Sequence, residues 1–525
     1  LFPCLPCSRA CPVPVLALFP CLPCPRACPV PLQFPPPTTP KKLSYSIGDV
    51  VDSKCPMTLP PTPNSPAWLQ KAHWVANPVG YMESAKRQCG DIFTANVGPQ
   101  GTPLIYIDNP QGIQQILTKD TKELTAPGSV NGLLQPLIGD YSVILLDGAS
   151  HKRQRQLLMP SFHGERLRSY GDLICNLAQQ VMGRFSVDAS FFARPAMQEI
   201  SLLVILQTVF GVTQGERYER LKDLTSQLMD FFSSTAKSSF LFFPILQQNL
   251  GPWSPWGRFL HVREEIDRLI YAEISDRRQQ DNSQRTDILS LMMSATDESG
   301  EGMSDRELRD ELLTLLFAGH ETTATSLSWA LYWTHRYPSV LAQLQEEIAS
   351  LGDHPDPMQI IRLPYLSAVC NETLRLYPVA ILTFPRVVPE NTSFHLMGYD
   401  IPAGTLLMGC IYLAHQREDI YPQPKQFRPE RFLERQFSAY EFLPFGGGVR
   451  RCIGAALAQM ELKLVLATVL SNYQLVLAEK KPVRPQRRGV TLAPETGIRM
   501  KLAGLRTPAV KYASSNSCLN QPTQE

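Results

Sequence analysis

The sequence predicts a mainly α-helical fold with a small β-rich part near its N-terminal end. Three observations carry this. Apolar residues recur at helical spacing through most of 148–377 and again after Cys452, and one unbroken helical run covers 305–337. At about 1.5 Å per residue, that run crosses a whole domain. Strand-like stretches are short: 92–97 and 103–107 alternate or run apolar around Gly98 and Gly101, and 381–412 does so with turns at Gly398 and Gly404.

Composition narrows the class. The chain has 525 residues, 44% of them hydrophobic and 19% charged, enough for one large α-rich unit with an ample core. A net charge of +2 gives no reason to expect a nucleic-acid partner. No uninterrupted apolar run reaches the roughly 18–20 residues of a membrane span, so no transmembrane anchor is expected; the stretch 240–246 is short and carries Pro244. Seven of the thirteen cysteines fall in the first 56 residues (Cys4, Cys7, Cys11, Cys21, Cys24, Cys28 and Cys55). The other six are scattered singly, which suits reduced thiols in a cytoplasm.

Taken in order, residues 1–56 stand apart. A Pro/Cys-rich segment nearly repeats, and proline interrupts every candidate helix or strand. Cys4/Cys7 and Cys21/Cys24 have the two-residue spacing of zinc ligands, but the composition reads as a low-complexity, disordered or non-native extension, with Met57 as the expected start. A helix is expected over 68–90, then the two strands, then a short helix at 111–117. Residues 126–146 read as a long apolar loop of the kind that borders pockets. A helix beginning at His151 carries the basic string His-Lys-Arg-Gln-Arg, with His151 and Arg155 on one face. Several Leu/Phe-rich helices fill 165–250, another spans 258–279, and 280–305 is polar.

The 305–337 helix contains Phe317-Ala318-Gly319-His320-Glu321-Thr322-Thr323. A mid-helix Gly costs about 1 kcal/mol relative to Ala. The threonine hydroxyls compete for backbone carbonyls, so a local opening of the helix is expected here. Helices at 341–351 and 365–377 follow, the latter opened by Pro364 and closed by Pro378. A hairpin is expected over 482–503 and a disordered tail from 509.

Phe445 to Gly454 reads Phe-Gly-Gly-Gly-Val-Arg-Arg-Cys-Ile-Gly, a glycine-rich loop with one cysteine, followed at once by an apolar helical pattern. Cys452 therefore sits near a helix N-terminus, where the dipole and free N–H groups favour a thiolate. The glycines allow close backbone approach to a large flat group, and Arg450 is placed to meet an anion. A thiolate with such neighbours suits the proximal ligand of a haem, where it favours O–O cleavage. The spacing Phe-x-x-Gly-x-Arg-x-Cys-x-Gly, in Phe445, Gly448, Arg450, Cys452 and Gly454, resembles the haem-binding signature of the cytochrome P450 monooxygenases. Ala318-Gly319-x-Glu321-Thr322 resembles that family's oxygen-activation motif. Glu372-x-x-Arg375 with Pro429-x-Arg431 looks like its buried charge triad.

This resemblance covers 57–508, is nearest in wording to soluble, cyanobacterial members, and implies the cytochrome P450 fold with 57–508 as the catalytic domain. It implies haem b on Cys452, and propionate contacts from His151, Arg155, Arg386 and Arg450. It gives Glu321 and Thr322 proton delivery to reacting dioxygen, and Glu372, Arg375 and Arg431 a structural role. Val130, Leu133, Leu134, Phe231, Phe317, Ala318, Ile381 and Leu382 are the candidate substrate-pocket residues. Their apolar character points to a fatty acid, alkane or terpenoid. No flavin or dinucleotide fingerprint is present, so electrons are expected from a ferredoxin and its NADPH-dependent reductase. Arg428, Arg431, Arg435, Arg451 and Lys463 could offer a basic docking face. A monomer is expected. Two rival readings are a donor-independent thiolate-haem isomerase, dehydratase or peroxygenase, and a non-catalytic haem sensor.

Overall fold

The computed structural model describes residues 59–98, 102–162, 164–231, 247–282, 284–479, 481–489 and 491–506. The expected extension at 1–56 with its cysteine pairs, and the tail from 509, lie outside the described residues. The main helices are α1 (Ala67–Ala76), α2 (Pro78–Cys89), α3 (Pro110–Thr118), α4 (Gly148–Leu158), α5 (Gly171–Met182), α6 (Ala193–Thr208), α7 (Glu216–Asp230), α8 (Pro255–Arg278), α9 (Asp305–Arg336), α10 (Pro338–Ala349), α11 (Pro364–Leu376) and α12 (Ala455–Asn472). The single helix expected over 68–90 is two. Pro78 cannot continue the ladder, and the Asn77 side chain instead caps the second helix by accepting from Gly80 N–H at 3.0 Å. The polar stretch 280–305 holds one short helix, Ile288–Ser294, whose Ile288, Leu289 and Met292 are buried.

The principal sheet joins distant parts of the chain. Strands β1 (Ile92–Ala95) and β2 (Leu104–Ile107) form the expected antiparallel pair. After β3 (Ser190–Phe192) the chain returns with β4 (Arg386–Val387), β5 (Ser393–Leu396), β6 (Tyr399–Pro402) and β7 (Leu406–Gly409). The order is β1-β2-β7-β4, with β2 and β7 parallel. β8 (Tyr473–Leu477), β9 (Pro485–Arg488), β10 (Thr491–Pro494) and β11 (Arg499–Leu505) complete the set. The hairpin expected over 482–503 is confined to β9–β10; β11 leaves it to pair with β3 and β8.

Helix α9 is the axis of the largest core cluster. Its start is fixed by a reciprocal cap: Ser304 Oγ accepts from Glu307 N–H, and Glu307 Oε2 accepts from Ser304 N–H at 2.8 Å. Its end is set by Pro338, the first residue of α10. The expected opening near Gly319 is absent: α9 is helical throughout its 32 residues. Thr322, Ser326, Ser328 and Thr334 each donate a hydroxyl to the carbonyl four residues back, without breaking the ladder. Gly319 serves packing. A Cβ there would lie 2.9 Å from Ile205 Cδ1 of α6, the helix with which α9 makes its largest contact. Tertiary burial on several sides outweighs local propensity.

On α11, Glu372 and Arg375 are three apart and fully buried. Arg375 Nε and Nη2 donate to the two Glu372 oxygens at 2.7 and 2.9 Å, and Arg431 Nε donates to Oε1 at 3.1 Å. The remaining donors of Arg375 reach the carbonyls of His415 and Pro424. His415 Nε2 in turn accepts from Leu443 N–H at 3.0 Å, two residues before Phe445. Burial, with Arg375 adding, pushes the His415 imidazole down to about 3, so it stays neutral and able to accept. Replacing Glu372 by Gln should strand two buried guanidinium groups and lower unfolding stability by about 3–5 kcal/mol, measured by urea denaturation. A loss under about 1 kcal/mol would show the pair to be peripheral.

Candidate active site

A cavity of about 840 Å³ lies between α9, α6, α4 and the loop leading into α12. Cys452, Phe445, Gly446, Arg450 and Gly454 line it from that loop. His151 and Arg155 enter from α4, and Ala318, Gly319, Glu321 and Thr322 from α9.

The loop owes its shape to its glycines. Gly446 and Gly448 have φ of 66° and 65°, where a side chain is strained. At Gly448 a Cβ would also collide with Asp120 Oδ2 at 2.2 Å. Cys452 N–H bonds the Phe445 carbonyl at 3.0 Å, closing the loop on itself. The thiol is accessible from inside the cavity yet surrounded by protein. Burial pushes it up from its ordinary value, while a backbone N–H from Gly454 and the charges of Arg155 and Arg451 pull it down. A bound metal cation deprotonates such a ligand outright.

Cations gather on one side. Arg450 is buried and donates to the carbonyls of Ala126, Val143 and Leu146. Burial dominates in lowering it to about 10, with Arg386 and Arg155 adding repulsion. His151 is pushed down to about 4, first by burial and then by Arg450, Arg155 and Arg386. Among the described residues the Arg155 guanidinium makes no hydrogen bond or ion pair, and burial lowers it too. Arg386 does not line the cavity: it is fully buried, bonded to Asp120 Oδ2 at 2.8 Å and to the Gly447 carbonyl at 3.1 Å. Its place is under the glycine loop, and it reaches the cluster only through its field. Three mutually repelling cationic or titratable groups beside a thiol, with close glycine backbone, fit an iron porphyrin with acidic side arms.

Opposite Cys452 in sequence role, Glu321 is held by α6. Arg194 Nη2 donates to Oε1 and Gln198 Nε2 to Oε2 at 2.8 Å. Thr322 Oγ1 spends its proton on the Ala318 carbonyl at 2.6 Å, so its lone pairs are left to accept. Of the expected pocket residues, Leu134, Phe317, Ala318 and Leu382 line the cavity. Val130, Leu133, Phe231 and Ile381 do not: Val130 is 36% exposed, Leu133 packs on the main core, Phe231 sets its ring on Phe259, and Ile381 is buried under β7 with Tyr412. Of the expected basic face, Arg431 is buried in the triad, and Lys463 is half-buried and donates to the Ile361 carbonyl.

Sequence reasoning missed Arg194, Gln198, Glu311 and Glu461, all of which line the cavity. The available signal was a charge inside an otherwise apolar helical run, as at Glu461. Glu311 is fully buried; its Oε1 accepts from Val143 N–H at 2.6 Å and Gln154 Nε2 at 3.1 Å. Burial, despite those bonds, pushes it up to about 8. Between about pH 4.5 and 8 the folded state thus keeps a proton that the unfolded chain releases, and stability falls as pH rises through that window. Glu311→Gln should gain stability over the parent at pH 8, with the difference shrinking toward pH 4.5. Urea unfolding across that range checks the sign, and a pH-independent difference would place the carboxyl ionised in the fold.

The family-wide sequence description "Cytochrome P450" matches residues 56–502. A protein of Mycobacterium tuberculosis named cytochrome P450 135B1 is 34% identical over 465 residues, covering 86% of this chain and 92% of its own length. The M. tuberculosis protein named cytochrome P450 135A1 is 33% identical over 446 residues, covering 85% and 95%. Among solved structures, a retinoic-acid-bound cyanobacterial protein, CYP120A1, superposes with a TM-score of 0.73 at 22% identity, covering 85% of this chain and 99% of its own. The heme domain of cytochrome P450DA does so with a TM-score of 0.75 at 23% identity, covering 86% and 99%. These two likenesses are of fold. With the family description spanning most of the chain and relatives above 30% identity along its length, the protein belongs to the cytochrome P450 family, the haem-dependent monooxygenases.

Proposed function

We propose that this monooxygenase holds haem b through Cys452 and inserts one atom of dioxygen into an apolar substrate, a fatty acid, alkane or terpenoid. One observation carries the reading: a single cavity collects the loop thiol, the cation cluster and the Glu321–Thr322 pair. The haem supplies dioxygen binding and reductive O–O cleavage, for which thiolate ligation donates electron density. The chain's own residues do the rest. His151, Arg155 and Arg450 receive the propionates, and the anions relieve the repulsion among these groups. Arg386, anchored to Asp120 and Gly447, keeps the glycine loop in place. Thr322 accepts from a cavity water and orients it, and the neighbouring Glu321 passes a proton to that water.

Leu134, Leu202, Ile205, Val209, Phe317 and Leu382 make the wall apolar and exclude solvent. An apolar wall of that kind matches a hydrocarbon body, which supports the substrate class. Among the described residues no helix is long and apolar enough to cross a membrane. The proposed electron source is a ferredoxin with an NADPH-dependent reductase, docking over exposed Arg435 and Arg451 and half-buried Arg428. Arg428 and Arg435 are already paired with Glu434 and Glu441, so their contribution to docking is screened.

Cys452→Ser should abolish the thiolate-type spectrum of the reduced carbon monoxide complex; an unchanged spectrum removes Cys452 as ligand. Thr322→Ala should leave dioxygen consumption running while product per electron falls and hydrogen peroxide is released. Unaltered coupling would take Thr322 out of the proton path. Turnover with peroxide alone, and none with ferredoxin and dioxygen, would favour a donor-independent enzyme instead.

A further inference from the structure

Beneath the glycine loop, a strained turn holds a buried carboxylate. Helix α3 ends at Thr118, and the chain turns at once through Asp120 and Thr121. Thr121 has φ of 81°, a left-handed conformation that a β-branched residue seldom adopts. Such strain persists where the surroundings over-determine a position, and it clusters at functional sites. Here the surroundings are visible. Thr121 N–H bonds the Leu124 carbonyl at 2.9 Å, and Thr125 and Val387 exchange backbone bonds at 3.0 and 2.8 Å. The turn is thereby fastened to β4, the strand that carries Arg386.

One oxygen, Asp120 Oδ2, is the meeting point. It accepts from Arg386 Nε and Nη2 at 3.1 and 2.8 Å, and from Val449 N–H at 3.0 Å. Asp120 and Arg386 are both buried. Val449 lies three residues before Cys452 and one before Arg450. Asp120 therefore joins the turn after α3, strand β4 and the cysteine loop. Its charge matters as well as its bonds. Arg386 lies out of solvent, and its field reaches the cavity, where it pushes down both His151 and Arg450. Burial opposes the Arg386 charge, and Asp120 supports it by both its charge and its hydrogen bond. Paired in this way, the two groups present a short dipole to the cavity. A lone guanidinium would present a full charge.

We propose that Asp120 is a positioning residue that sets the reduction equilibrium of the haem: by neutralising Arg386 beneath the glycine loop, it keeps the iron harder to reduce. This role rests on the proposed haem reading. Reduction adds one electron from the external donor to the ferric iron, and an uncompensated cation in a desolvated place stabilises that added negative charge. Burial and hydrogen bonding around a haem are the protein's levers on its potential. Asp120 works on both. It cancels the charge of Arg386, and it fixes the loop backbone at Val449, between the glycines and Arg450. Cancelling the field also leaves His151 and Arg450 less repelled than they would be beside a lone Arg386. The strained turn at Thr121 is what delivers the carboxylate to this place.

The test uses the haem-loaded protein, poised against a redox dye at one fixed potential, and reads the ferrous-to-ferric ratio by absorbance. Asp120→Asn leaves an oxygen for Val449 N–H and removes the charge, so the ratio should rise on the order of tenfold. Asp120→Asn combined with Arg386→Gln removes both charges and should bring the ratio back to within about twofold of the parent. Asp120→Glu keeps the charge and should stay nearer the parent than Asp120→Asn does. The thiolate-type carbon monoxide spectrum should persist in all three, showing the ligand in place. An unchanged ratio in Asp120→Asn overturns the proposal. A double variant shifted as far as the single one also overturns it, because loop distortion and not charge would then move the equilibrium. If Asp120→Asn alone fails to hold haem, the double variant decides: a parent-like ratio supports the role, and any larger shift removes it. Loss of haem from both would make Asp120 a structural brace and overturn the proposal too. Failure of the haem reading shows separately, as absence of the carbon monoxide spectrum in the parent protein.

Discussion

Helix α9 is pressed against α6 so closely that Gly319 leaves no room for a side chain beside Ile205. The cavity depends on that contact. It sets the depth at which Glu321 and Thr322 face the cavity, and it brings Arg194 and Gln198 within reach of the Glu321 carboxylate. It also straightens a helix that local propensity would loosen. Thr322, Ser326 and Ser328 return their hydroxyls to their own helix, so the backbone stays satisfied while lone pairs remain for water.

The opposite wall is a glycine loop held from beneath. Arg386 bridges Asp120 and Gly447, and the Asp120 carboxylate also accepts from Val449 N–H. Glu372, Arg375 and Arg431 brace the approach to the loop through His415 and Leu443. The two supports differ in kind. The triad is closed, with most donors matched by carboxylate or carbonyl. The group at His151, Arg155 and Arg450 is open at one member: Arg450 is met by carbonyls and His151 is held neutral, while the Arg155 guanidinium lies desolvated with no partner among the described residues. A closed network contributes to the fold, while an open one is matched by an anion.

Buried acids form a third theme. Glu311 ties the 141–147 segment to α9 through Val143, beside Asp310, which accepts from Tyr141 N–H. Glu461 stands in an otherwise apolar face of α12. Among the described residues neither has a cationic partner, and burial pushes each up to about 8. Glu311 stabilises a wall of the cavity, and Glu461 lines it.

Local chemistry made much of this legible in the sequence. The cysteine loop, the Glu321–Thr322 pair and the Glu372–Arg375–Arg431 triad are set by residue type and spacing over a few positions, and the long helix by its apolar period. Short-range rules failed where partners lie far apart in the chain. Asp120 claims Arg386 from 266 positions away, so a residue expected at the propionates sits under the loop. Arg194 and Gln198 meet Glu321 across more than a hundred positions, and β2 finds its parallel neighbour β7 some 300 residues later. Half of the expected pocket residues, Val130, Leu133, Phe231 and Ile381, point elsewhere, because an apolar residue carries no mark that separates pocket wall from core. The sequence by itself determined which thiol, acid and hydroxyl its motifs single out, since these are set by residue type and spacing over a few positions. Only the tertiary structure decided which charges face the cavity and which are neutralised behind it, because burial and pairing are properties of neighbours.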